Sequence, residues 1–142
     1  MIDHNHEVLE YCRVILKSEG GDLLTVTASA LLHDIGIPEA KRLHGSAGGR
    51  WQEKLGPPMA RKILEKLGVD ETIAEHVCRI VGSHHSGKDI DTTEFCILWD
   101  ADWLVNFSRH YAEKDRSEYP SYIQKIFRTS KGRELAKKKF LS

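Results

Sequence analysis

His33 and Asp34 stand side by side at the end of the apolar run Ala28-Ser29-Ala30-Leu31-Leu32. A neutral imidazole nitrogen and a hard anionic oxygen together suit a borderline or hard divalent cation. Two neighbours can hold an ion only if other segments supply the remaining ligands. The chain has 8 histidines to draw on. His84 and His85 follow the stripe Ile73, Val77, Ile80, whose helical spacing steps onto His84 and aims it at the core side. Asp102 falls on the otherwise apolar line Phe95, Leu98, Val105. Asp100 falls on a neighbouring line with Cys96, Trp103 and Phe107. A buried carboxylate is expensive unless paired or metal-bound, so either aspartate is a candidate ligand, with an ion pair to an arginine as the plain alternative. His4 and His6 open the chain, where a surface side chain is the plain expectation for a histidine.

The elements that must position these residues are helical. Val8, Leu9, Cys12, Ile15 and Leu16 recur at helical spacing from about Ile2 to Ser18, and Gly20-Gly21 stops them. Asp22 caps a second helix that ends near His33-Asp34. Residues 35–57 hold Gly36, Pro38, Gly45, Gly48, Gly49 and Gly56, which predicts a long irregular loop. Pro57-Pro58 suits the first turn of a helix over Met59–Leu67. Asp70 caps a helix from Glu71 to about Ser83. Asp91 or Thr92 caps another from Thr93 to about Phe107. Helical stretches follow Pro120 and Gly132. No strand alternation is present. The expectation is an all-α protein: one compact domain over 1–142, a bundle of about six helices with a long loop after the His-Asp pair.

Composition narrows the function. Basic and acidic residues balance at 21 each, so no overall field favours nucleic acid or an anionic membrane. The basic stretch from Lys131 to Lys139 reads as a solvated helix face. No apolar run reaches the length of a membrane span and no leader is recognisable. Cys12, Cys78 and Cys96 are odd in number and lie in apolar periodic segments, which fits reduced core thiols and a cytoplasmic protein.

A histidine early in the first helix, an adjacent His-Asp at the end of the second and an aspartate in a later helix together resemble the HD superfamily of metal-dependent phosphohydrolases. The resemblance rests on His6, on Ala30-Leu31-Leu32-His33-Asp34-Ile35-Gly36 and on Asp100-Ala101-Asp102-Trp103-Leu104. The stretch Gly56-Pro57-Pro58-Met59-Ala60-Arg61-Lys62-Ile63-Leu64 also looks like the helix that follows the HD loop. The match covers roughly 3–107 and leaves 108–142 as a helical extension. It implies a metal site of His6, His33, Asp34 and Asp102. His84-His85 resembles the paired histidines that bind a second metal in two-metal members. No glutamate follows His85, which departs from the cyclic-dinucleotide branch. His44 is a weaker candidate for the second ion.

The chemistry implied is hydrolysis of a phosphomonoester or nucleotide phosphate bond by a metal-activated water. Asp34 would bind metal and orient the water, and His84, His85 or Glu53 would move protons. Arg50 or Lys88 would touch the phosphate. Histidine and carboxylate ligands admit one or two ions of Mn, Fe, Co, Ni, Zn or Mg. The partner is a small phosphorylated substrate, such as a nucleotide, rather than a nucleic acid polymer or a membrane. Trp99, Trp103, Phe107 and Tyr111 on one stretch could equally form core or a homodimer interface. Two other readings stand beside this one. A di-iron HD-fold oxygenase would use His84 and His85, and a non-catalytic ligand-binding module would keep the site without turnover.

Overall fold

The computed structural model describes residues 2–142. Its helices are α1 (Ile2–Glu19), α2 (Leu23–Leu32), α3 (Ile37–His44), α4 (Gly49–Lys66), α5 (Glu71–Val81), α6 (Thr93–His110), α7 (Tyr119–Ile126) and α8 (Ser130–Phe140), with a 3-10 turn at Arg116–Glu118. No strand occurs among the described residues, so the all-α expectation holds. No helix among them is long and apolar enough to cross a membrane.

The caps follow the sequence. Asp22 accepts from the Thr25 amide at 2.8 Å and from its hydroxyl at 2.7 Å. Asp70 accepts from Thr72 N–H, and of the two candidates before α6 the cap is Thr92, which accepts from Phe95 N–H. Each satisfies an amide that the helix leaves without a partner, a contribution of about 1 kcal/mol.

The stretch expected as a loop is instead largely helical. α3 and α4 fill it, and α4 begins ten residues before Met59 and runs through Pro57 and Pro58. Gly45 does close α3 with a positive φ, but Gly36, Gly49 and Gly56 answer to tertiary crowding rather than to turns. A Cβ on Gly36 would lie 3.0 Å from the Gly56 amide nitrogen and 3.1 Å from the Gln52 carbonyl. Gly36 thus lets the turn after His33-Asp34 run against the backbone of α4, which brings α4 to the ligand pair.

Two apolar cores lie on either side of α2. The larger gathers Val8, Cys12 and Ile15 of α1, Phe95, Leu98, Ala101 and Phe107 of α6, Ile123 of α7, Phe127 just after it, and Ala136 and Phe140 of α8. The smaller lies between α4 and α5 and holds Ala60, Leu64, Ala74, Val77, Cys78 and Val81. α2 sends Val26 and Ala30 into the first and sets Ala28 and Leu32 against the second. The C-terminal end of α2 therefore emerges at the seam between the cores, carrying His33 and Asp34 with it. Burial of side chains of this size stabilises by roughly 1.5–3 kcal/mol each, so the seam is held from both sides.

Candidate metal centre

Two helices end in the same way at this seam. His33 follows the last residue of α2, and its Nδ1 is 2.8 Å from the Ala30 carbonyl; His84 lies just beyond α5, and its Nδ1 is 2.8 Å from the Val81 carbonyl. A carbonyl only accepts, so each Nδ1 carries the proton and donates. The carbonyls belong to the last turns of the helices, where no amide follows to take them. Each imidazole thus caps its own helix and turns Nε2 forward. Both Nε2 atoms are buried and have no hydrogen-bond partner among the described residues. A buried polar atom left alone costs roughly 1–3 kcal/mol, and here it recurs twice in one place.

What these nitrogens face are carboxylates. His33 Nε2 lies 3.3 Å from Asp34 Oδ2 and 3.5 Å from Asp102 Oδ1. His4 Nε2, from the first turn of α1, lies 3.3 Å from the same two oxygens. His84 Nε2 lies 3.6 Å from Asp34 Oδ1. These separations are long for charge-assisted hydrogen bonds, which fall near 2.7–2.9 Å. They are close to the spacing of neighbouring ligands around one ion at bond lengths of about 2.1 Å. His4, His33 and Asp102 present ligand atoms all within 4.8 Å of one another. The residues present fit a divalent cation: imidazole nitrogens, two of them on rings fixed by their Nδ1 bonds, facing anionic oxygens, at the bottom of a cleft. The group can hold a metal ion.

The electrostatics agree. Burial alone would disfavour the charged form of His33, but the neighbouring carboxylates of Asp102 and Asp34 overcome it and push its pKa up to about 8. Burial would likewise raise Asp102, yet its contacts with His33 and His4 hold it well below the usual carboxylate range. Asp34 is lowered against its own burial by His84 and by the charge of His33. Two ionised carboxylates beside buried imidazoles suit a cation.

Not every residue expected here arrives. His6 is exposed and lies on another face of α1, with Glu7, Glu10 and Tyr11; His4 takes the place assigned to it. The signal was present, since His4, Val8, Cys12 and Ile15 share one helical line and the last three are fully buried. Glu53 does not face the ions' place. Its Oε2 accepts from the amides of His85 and Ser86 and from the Ser86 hydroxyl, so it holds the turn that presents the two histidines. Asp100 is spent elsewhere, on Arg128 N–H, Thr129 N–H and the Thr129 hydroxyl at 2.7–2.8 Å. Asp102 is the carboxylate that turns to the seam. His44 stacks on Trp51 at 3.5 Å, and Arg50 covers Trp51 at 4.8 Å. Neither Arg50, Lys88 nor His44 is among the residues lining the cleft over the ligands.

That cleft has two lobes, of about 330 and 300 Å³, which share His85, Asp102, Asn106 and Arg109. His4, Asp34 and Gln52 line one; Trp103 and His110 line the other. His85 occupies the rim. A Cβ on Gly49 would lie 2.7 Å from its ring, so α4 can begin against it only with glycine there. Gln52 donates from its amide nitrogen to Ala47 O, which leaves its Oε1 to accept from His85 Nε2 at 2.9 Å. His85 Nδ1 is then the basic nitrogen. Burial and the neighbouring His84 lower the pKa of His85, so the ring is neutral at pH 7. Asn106 and Arg109, absent from the sequence expectations, lie four and seven residues after Asp102 on the same face of α6.

Comparison with known proteins agrees with this architecture. The HD domain family matches residues 1–107. Ribonuclease Y of Rubrobacter xylanophilus is 25% identical over 129 residues, covering 89% of this chain and 21% of that protein. The chain thus spans about a fifth of that relative's length. A crystal structure of a predicted HD superfamily hydrolase from an uncultured Thermotogales bacterium superposes with a TM-score of 0.73 at 25% identity, covering 99% of this chain and 73% of the other.

Proposed function

The chain belongs to the HD-domain family, and on that premise we propose that it is a divalent-metal-dependent phosphohydrolase acting on a small phosphorylated substrate. The observation that carries the reading is the pair of buried, unpartnered imidazole nitrogens, His33 Nε2 and His84 Nε2, opposite the carboxylates of Asp34 and Asp102. His4, His33, Asp34 and Asp102 would hold the ion, and His84 would share Asp34 with it or serve a second ion. A bound divalent cation would bring the pKa of a coordinated water from ~15.7 toward ~7 and neutralise charge on a phosphoryl oxygen.

The rest is the work of the chain. Ala30 and Val81 carbonyls fix the tautomers of the two buried imidazoles, so no reorientation is needed when the cation arrives. Gln52 fixes His85 with Nδ1 basic, and we assign His85 the proton transfer at the cleft rim. Glu53 keeps His84 and His85 in place through three hydrogen bonds to residues 85 and 86.

A second reading is cleavage of an RNA phosphodiester, favoured by the similarity to Ribonuclease Y. One experiment separates the two. Purified protein is analysed for metal, then loaded with Mn, Co, Ni, Fe or Mg and offered p-nitrophenyl phosphate, nucleoside mono- and triphosphates, and a short RNA. Hydrolysis of the monoesters or nucleotides, lost in His33→Ala, is the expected result. Cleavage of RNA alone would select the second reading. Two bound irons with oxygen consumption and no phosphate release would overturn both.

A further inference from the structure

α6 carries a polar stripe from Asp102 through Asn106 to Arg109. Asn106 Nδ2 donates to Asp102 Oδ1 at 2.9 Å, and Arg109 Nη2 donates to Asn106 Oδ1 at 2.9 Å. The carboxylate can only accept and the guanidinium can only donate, so the amide of Asn106 has one allowed orientation between them. The guanidinium is thereby held two hydrogen bonds and one carboxamide away from a metal-site oxygen. Its remaining N–H groups are left over, because a guanidinium has five and among the described residues it meets one protein acceptor, Asn106 Oδ1.

Charge gives the stripe its meaning. With Asp34 and Asp102 ionised, one divalent cation leaves the ligand set neutral. Such a site has no formal charge with which to choose an anion over a neutral ester. Among the described residues that line the two lobes, Arg109 is the only one with a permanent positive charge, and it lines both. We propose that Arg109 is the anion-selecting residue of this cleft, binding a phosphoryl oxygen beside the metal centre. Asn106 is the positioning residue that fixes Arg109 to Asp102. The substrate class is then an ester whose phosphoryl group carries non-bridging anionic oxygens for the fork of one arginine. The lobe of Trp103 and His110 receives the alcohol portion. The identity of the anion rests on the phosphohydrolase reading above; the placement of the cation does not.

The test is calorimetric titration of inorganic phosphate into the Mn-loaded full chain, with metal content measured on each sample. Wild-type protein binds phosphate. Arg109→Ala weakens it by about ten- to a hundred-fold, Arg109→Lys recovers part of that loss, and Asn106→Ala weakens it by a smaller factor. All three keep the wild-type metal content. Unchanged affinity in Arg109→Ala, or no phosphate binding by the wild type, overturns the proposal. Loss of metal in Arg109→Ala overturns it too, since the residue would then support the ligands rather than the anion. Loss of metal in Asn106→Ala overturns its role as a link to Arg109. Arg109-dependent phosphate binding in a protein that hydrolyses no ester keeps this inference and removes the phosphohydrolase reading.

Discussion

Asp100 and Asp102 are two residues apart on α6 and have opposite surroundings. Asp100 is fully buried and meets only donors: two backbone amides and a hydroxyl, from the corner between α7 and α8. Asp102 takes one amide donor, Asn106 Nδ2 at 2.9 Å, and otherwise faces the imidazole nitrogens His33 Nε2 at 3.5 Å and His4 Nε2 at 3.3 Å. A carboxylate whose oxygens are taken up by backbone amides and a hydroxyl is finished as structure; one that faces titratable imidazoles can exchange their proton for a metal ion. The same residue type on the same helix thus serves as a bolt at one step and as a ligand at the next. The difference lies in whether the partners can give up the proton they share with the carboxylate.

The largest effect expected from this contrast is on metal content. Asp102→Ala or His33→Ala should lower metal affinity by at least the ~10–100-fold typical of removing even a supporting group. Asp100→Ala should leave stoichiometry unchanged and lower stability by about 3 kcal/mol, since it strands three buried donors. Elemental analysis beside urea unfolding reads both. An Asp100 variant that loses metal at full stability would reverse the assignment. Chelation comes next. Removing metal held at ~100 times its dissociation constant should cost about 2.7 kcal/mol, seen as a lower melting temperature in wild-type and Asp100→Ala protein and as no change in Asp102→Ala.

A smaller effect depends on pH. In the metal-free protein His33 is raised to about 8, above its ordinary 6.5, so it binds its proton more tightly when folded. That stabilisation is complete below about 6.5 and disappears as pH rises through about 8. Metal-free wild-type and Asp100→Ala protein should therefore unfold at lower urea at pH 9 than at pH 6, while Asp102→Ala should lose most of the difference. Over the same window metal affinity should rise with pH, because the ion displaces that proton. The smallest effect is at the far end of the bolt. Thr129 accepts from Gly132 N–H as the cap of α8, so Thr129→Ala should cost roughly 1 kcal/mol, with Thr129→Ser close to wild type.

Much of this was legible in the sequence. The His33-Asp34 pair, the approach of His84 along an apolar stripe and the misfit of Asp102 on an apolar line all follow from helical spacing. So do the caps Asp22, Asp70 and Thr92. The choice of His6 over His4 failed because the first turn of a helix has no preceding residues to define its face; only the line back from Val8 and Cys12 distinguishes them. The reading of residues 35–57 as a loop failed because glycine was weighed as a turn former. At Gly36, Gly49 and Gly56 the cause is a neighbouring chain, invisible locally: α4 backbone, the His85 ring and the Val81 side chain occupy the space of a Cβ. Arg109 was overlooked because its role depends on Asn106, and a pair that matters only through a third residue leaves no mark in composition. Asp100 could not be told from Asp102, because its partners lie 28 and 29 residues away.

The imidazoles that close α2 and α5 have one more implication. Each ring is tied by Nδ1 to a carbonyl three residues back, so grip at Nε2 is transmitted along the ring into the final turn of its helix. Those turns belong to two separate helices, each with residues in both cores. An occupied centre would therefore act as a rivet through a lap joint, damping the fraying of both helix ends at once. Backbone amide exchange at His33, whose N–H reaches the Ser29 carbonyl at 2.9 Å, and at Gly82, whose N–H reaches Cys78 at 2.9 Å, would then slow together on metal binding, although the two amides lie on separate helices.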